Sequence, residues 1–119
     1  MFQAHLALIT VVETPEFLGT SRKLLDDAER EAMVLYLAAR PTAGRLIPGT
    51  GGVRKVRWAL EGRGKRGGAR VIYFFHNDKV PLFLLSVFAK NEHADLSQAE
   101  RNGLRRLAGR LVDSYLENK

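Results

Sequence analysis

Arg54, Lys55, Arg57, Arg63, Lys65, Arg66 and Arg70 fall between Val53 and Phe75, against a single acid, Glu61. The formal charge of this stretch, +6, equals that of the whole 119-residue chain. Cations at this density repel one another unless an anion lies among them, and the usual anion is a phosphate backbone. Residues two apart on an extended strand share a face. Lys55 and Arg57 therefore point one way, while Arg54, Val56 and Trp58 take the other. With Val56 and Trp58 turned to the core, Lys55 and Arg57 lie on the open side of a sheet. Arg70, which opens the following strand, sits opposite them across a hairpin, and Lys90 joins from the end of the next strand. Four cations on one face, beside a basic glycine-rich loop, are suited to binding phosphate rather than to dressing a solvated edge.

Other chemistries find little support. Gly62-Arg63-Gly64-Lys65-Arg66-Gly67 matches GxGxxG, yet a dinucleotide site needs a helix directly after the glycines, and here a strand follows. The spacing does not make a Walker loop either. The segment reads as a hairpin tip, or as a cationic loop, with Arg63, Lys65 and Arg66, that closes over RNA. No Ser-His-Asp pattern or HExxH motif occurs, and His5, His76 and His93 have no ligand-like spacing, so no metal site is expected. The chain has no cysteine, which excludes disulfides and thiolate zinc sites and fits a reducing cytoplasm. His93 follows the fourth strand, where a proton donor would serve, whereas His76 falls at the far end of the hairpin. Arg101, Arg105, Arg106 and Arg110 give the last helix a cationic flank.

The length implies one domain, residues 1–119, without a linker or internal repeat. The longest apolar run, Leu82–Ala89, is far too short to cross a bilayer, and no cation precedes the apolar N-terminal stretch as a signal peptide would require. Residues 1–39 are net acidic, and residues 40–70 carry nine Lys/Arg against one acid.

The elements that must position these cations can be read from local signals. Leu6–Val12 is β-branched and apolar, a first strand. Thr14-Pro15-Glu16 opens a helix, which Gly19-Thr20-Ser21 is expected to interrupt. Asp26 and Glu29 are spaced as a capping box for a second helix, in which Ala28, Ala32, Leu35, Tyr36 and Ala39 recur at helical spacing and which ends at Arg40-Pro41. Three strands follow the Pro48–Gly52 loop: Val53–Leu60, Arg70–His76 and Leu82–Ala89. Their short connections make them antiparallel neighbours. A second capping box, Ser97 and Glu100, opens a helix with the stripe Leu104, Leu107, Ala108, Leu111, Val112 and Tyr115. The order β-α-α-β-β-β-α describes an α+β sandwich with helices packed on a twisted antiparallel sheet.

At Gly49-Thr50-Gly51-Gly52-Val53-Arg54-Lys55, at Gly64-Lys65-Arg66-Gly67-Gly68-Ala69-Arg70-Val71-Ile72-Tyr73 and at Leu84–Asp95, the chain resembles the RelE/HigB superfamily of type II toxin–antitoxin toxins, closest to the HigB branch. The resemblance covers roughly residues 41–111. It implies a ribosome-dependent mRNA endonuclease that uses no metal or other cofactor, is monomeric when free, and is neutralised by a helix-turn-helix antitoxin. In this chemistry the ribose 2′-hydroxyl attacks the adjacent phosphate, leaving a 2′,3′-cyclic phosphate and a 5′-hydroxyl. The family's strand lysine corresponds to Lys55, with Arg57 beside it. Its arginine on the following strand corresponds to Arg70, and the cation after the next strand to Lys90. Many relatives carry a tyrosine as proton donor where this chain reads Asn91-Glu92-His93, so the role falls to His93, to ribosomal RNA or to a lysine. Arg54, Arg63, Lys65 and Arg66 complete the expected RNA-binding set. Two rival readings of the same fold are a gyrase-inhibiting toxin of the ParE type and an RNA-binding module that does not cut.

Overall fold

Each helix begins on a side chain that satisfies otherwise unpaired amide groups. The computed structural model describes residues 7–60, 68–90 and 96–117. Helix α1 (Pro15–Leu24) is capped by Thr14, whose Oγ1 accepts from the Phe17 amide at 3.3 Å. Helix α2 (Asp27–Ala39) starts on the capping box. The Glu29 amide donates to Asp26 Oδ1 at 2.7 Å, and the Asp26 amide donates to Glu29 Oε1 at 2.9 Å. Ser97 and Glu100 make the same reciprocal pair ahead of α3 (Gln98–Glu117). Such caps are each worth on the order of 1 kcal/mol.

Helix α1 runs unbroken through Gly19-Thr20-Ser21, contrary to the expectation from sequence. The hydroxyls of Thr20 and Ser21 bond back to carbonyls of the preceding turn, and Thr20 Oγ1 also accepts from the Val87 amide on the sheet. These bonds, with Phe17 and Leu24 buried beneath, hold the segment helical despite its weak propensity.

Five strands form one sheet in the spatial order β1-β5-β4-β3-β2. They are β1 (Val11–Glu13), β2 (Arg45–Leu46), β3 (Val53–Trp58), β4 (Ala69–Phe74) and β5 (Leu82–Ala89). The three strands expected to be antiparallel neighbours are so. The sheet is mixed, because β1 runs parallel to β5, pairing Val11 with Leu82 and Glu13 with Leu84. Strand β1 is also shorter than the apolar run Leu6–Val12. Leu6 lies outside the described residues, and the Ile9 amide bonds to the Ala38 carbonyl at the end of α2 instead of to a strand. Strand β2 was not foreseen; at two residues it has no periodicity to read.

Helices cover both faces of the sheet, so β4 and β5 are apolar on both sides. On one face α1 and α2 bury Phe17, Leu24, Met33 and Leu37 against Val71, Tyr73, Leu82, Leu84 and Val87. On the other, α3 lays Leu104, Leu107, Ala108, Leu111, Val112 and Tyr115 over Val53, Ile72, Phe74, Phe83 and Leu85. The α3 stripe is the one its sequence spacing indicates. In α2 the buried residues are Met33, Leu37 and Ala38, whereas Ala28, Ala32 and Leu35 face outward. A bulge on β5 leaves Leu85 extra between the pairs Tyr73–Leu84 and Ile72–Ser86, and this shifts the register next to the basic end of the sheet.

Tyr73 ties the loop after α2 to the sheet. Its fully buried hydroxyl accepts from the Gly44 amide at 2.8 Å and donates to the Pro41 carbonyl at 2.8 Å. A Cβ on Gly44 would stand 2.7 Å from the tyrosine ring, so the loop approaches as closely as it does only with glycine there. Burial pushes the Tyr73 phenol above its ordinary value of 10, although the Gly44 bond acts the other way. The folded state thus favours the neutral phenol, and its contribution is full below pH 10 and falls away as pH rises through the raised value. Tyr73→Phe should cost about 1–3 kcal/mol in denaturant unfolding near neutral pH, because the buried Gly44 amide and the partly buried Pro41 carbonyl lose their partner. It should also remove this residue's share of the alkaline loss of stability. Wild-type stability at neutral pH would show that the bonded hydroxyl is not what holds the loop.

Candidate nucleic-acid interface

Alternation along β3 sorts its side chains between the two faces of the sheet. Val56 and Trp58 pack on the α1/α2 side, and the Trp58 ring meets Tyr36 edge-on at 5.6 Å. Lys55 and Arg57 take the opposite face. In register Arg57 stands directly across from Arg70, and Lys55 across from Ile72. Helix α3 crosses the same face but rests on its other end, over Val53, Ile72 and Phe74, because that is where the face is apolar. The face is therefore not wholly open, as the sequence suggested; the body of the helix rests on its apolar end, and the helix start approaches its cationic end. Arg57 is exposed, and Lys55 and Arg70 are half-buried.

Two positions escaped the sequence reading. Arg45 on β2 pairs directly with Lys55, which adds a cation from the edge of the sheet. Phe88 on β5 pairs with Arg70, so a half-buried aromatic ring stands beside the arginine on the same face. Only the strand register reveals either, and register depends on the bulge and on the two-residue edge strand. Beyond Phe88 an apolar groove of about 640 Å³ runs between β5 and α3, lined in part by Leu96, Leu104 and Leu107.

Lys90 is exposed just past β5, and its amide bonds to the Gly68 carbonyl at 3.2 Å, which sets it at the Arg70 end of the sheet. Arg54 is not brought to this group. It lies on the other face and donates to the Gly44 carbonyl at 2.7 Å. Arg63, Lys65, Arg66 and His93 lie outside the described residues. His76 is beyond the far end of β4, near Phe74, away from the cluster as expected. Among the described residues, Arg45, Lys55, Arg57 and Lys90 make no ion pair with a carboxylate. Like charges directly opposite on a sheet are destabilising, so the Arg45–Lys55 pair stores repulsion that an anion would relieve. No group of three or more His, Asp or Glu among the described residues is placed to hold a metal ion. No helix among them is long and apolar enough to cross a membrane.

A family model described as the RelE toxin of the RelE/RelB toxin–antitoxin system matches residues 27–118. The chain belongs to the RelE toxin family. It is thus a toxin of a toxin–antitoxin system, and family membership brings with it a cognate antitoxin. The RelE fold is evident in three dimensions as well. A structure of a mutant of the E. coli toxin RelE in the free state superposes with a TM-score of 0.52 at 21% sequence identity, covering 71% of this chain and 86% of that one.

Within this RelE-family hairpin, Gly68 sets the entry to Arg70. Its φ is +64°, and a Cβ there would fall 2.3 Å from the Trp58 carbonyl oxygen. Gly68→Ala should lower stability by about 2 kcal/mol or more in thermal or denaturant unfolding, from backbone strain plus the clash. Unchanged stability would mean that the hairpin closes some other way.

Proposed function

We propose that this RelE-family toxin is a ribosome-dependent mRNA endonuclease of the HigB type, acting in the cytoplasm as a monomer when free and neutralised by a helix-turn-helix antitoxin. The observation that carries the reading is the Arg57–Arg70 pair, with Lys55 beside it, at the end of the sheet face beyond the apolar patch that receives the body of α3. A toxin that acts only by gripping another protein has no need of three cations converging there with Phe88 alongside. A phosphate flanked by bases needs both, since bases stack on aromatic rings whatever their sequence.

In this scheme the 2′-hydroxyl of the bound ribose attacks the neighbouring phosphorus, and the bond to the 5′-oxygen breaks. Charge accumulates on the non-bridging oxygens in the transition state. Arg70, held on a rigid strand, stabilises that charge more than it stabilises the ground state. Lys55 takes the proton from the attacking hydroxyl, and Arg57 holds the phosphate in line. Lys90 stands on the leaving-group side, and His93 returns a proton to the 5′-oxygen. No metal enters the scheme.

Primer extension on a defined mRNA in a purified translation system tests the reading. Wild type should cut only when ribosomes are present, and Arg70→Ala should lose on the order of 10²-fold or more of the cutting rate while remaining folded. Cuts made by a folded Arg70→Ala at the wild-type rate would overturn the site. A folded wild type that never cuts would favour gyrase inhibition or RNA binding without cleavage. In the same assay Lys55→Ala should slow cleavage more than it weakens ribosome binding; equal losses would make Lys55 a binding residue only.

A further inference from the structure

Beside the Arg57–Arg70 pair lies a second, smaller cationic enclosure, contributed by three separate elements. Arg45 of β2 and Lys55 of β3 face each other in register, and Arg101, the fourth residue of α3, lines the same cavity of about 130 Å³. Ile47, Pro48 and Leu96 form its apolar walls, and among the described residues no carboxylate lines it. The neighbouring acid, Glu100, is turned to the helix cap, where it accepts from the Ser97 amide at 2.8 Å. The buried Nε of Arg101 has no hydrogen-bond partner among the described residues. A cation near a helix N-terminus also works against the helix dipole. Cross-strand repulsion, an unfavourable dipole and an unsatisfied buried donor are all relieved by one event, the entry of an anion.

We propose that Arg45 and Arg101, beside the catalytic Lys55, form a second phosphate pocket, which takes a non-scissile phosphate of the RNA strand held at Arg57 and Arg70. This rests on the RNA-cleaving reading above. The geometry favours RNA over an isolated anion, because Lys55 and Arg57 lie about 7 Å apart along β3, close to the step between successive phosphates of a single strand. The two cationic sites would then hold consecutive backbone groups, so that the strand is located by two points and cannot slide past Arg70. Arg101 acts here as a positioning residue, away from the reacting atoms.

The Nε–H resonance of Arg101 reports on the pocket directly. In the ¹⁵N-labelled free toxin it is assigned by its loss in Arg101→Lys. It is then followed during titration with inorganic phosphate and, separately, with a short RNA bearing 2′-deoxy sugars and so lacking the attacking hydroxyl. Both titrants should shift it saturably. Arg45→Gln should weaken each interaction about tenfold, the effect of losing one charge-assisted hydrogen bond. Arg106→Gln removes the same charge from an exposed part of α3 and should leave both within about twofold. No saturable shift with phosphate, or equal effects of the two substitutions, would overturn the pocket. A shift with phosphate but none with the oligonucleotide would overturn its assignment to RNA. Shifts with both titrants, in a protein that does not cut translated mRNA, would uphold the pocket and overturn the nuclease reading instead. Cutting by a protein whose Arg101 resonance ignores the oligonucleotide would overturn the pocket alone.

Discussion

The register between β3 and β4 is the constraint on which the site depends. It sets Arg57 against Arg70 on one face and, by the same alternation, Val56 against Val71 on the other. A slip of one residue would send every side chain of β3 to the wrong face, burying the cations under α1 and α2 and exposing Trp58. The repulsion across the pair costs no more than about 1 kcal/mol. The apolar burial that fixes the register is far larger, since a fully buried side chain of the size of Phe74 or Val71 contributes about 1.5–3 kcal/mol. Packing therefore decides the arrangement.

Two cores on opposite faces divide the work. The α1/α2 side packs the sheet against Phe17, Met33 and Leu37. The α3 side is closed over only part of its length, because the apolar patch that receives the helix stops where Lys55, Arg57 and Arg70 begin. A single sheet face thus serves as core at one end and as a charged surface at the other. Rigidity at the site comes from strands shared with the core, which keeps the cations in fixed positions.

Much of this was legible in the sequence where a local signal existed. The caps at Thr14, Asp26 and Ser97, the α3 stripe and the two-face split of β3 all follow from spacing alone. What could not be read depends on partners distant in the chain. The inward side of α2 is not marked in its sequence, because its alanines recur at helical spacing whichever face is buried, and only contact with the sheet selects Met33 and Leu37. The parallel pairing of β1 with β5 leaves no mark in either strand. Arg45 and Phe88 became visible as parts of the site only through register, which no single segment carries.

That parallel pairing also imposes an order of assembly. Thr14 both caps α1 and donates its hydroxyl to the Leu84 carbonyl at 2.7 Å, a partner 70 positions further along the chain. Until β5 has been synthesised, β1 has no strand to join, and α1 has no sheet beneath it. The face that carries Arg70 likewise receives α3 only when the last quarter of the chain is complete. Contacts of such long sequence separation are entropically costly to close and slow to form. A partly made chain therefore holds the cations without the frame that aligns them.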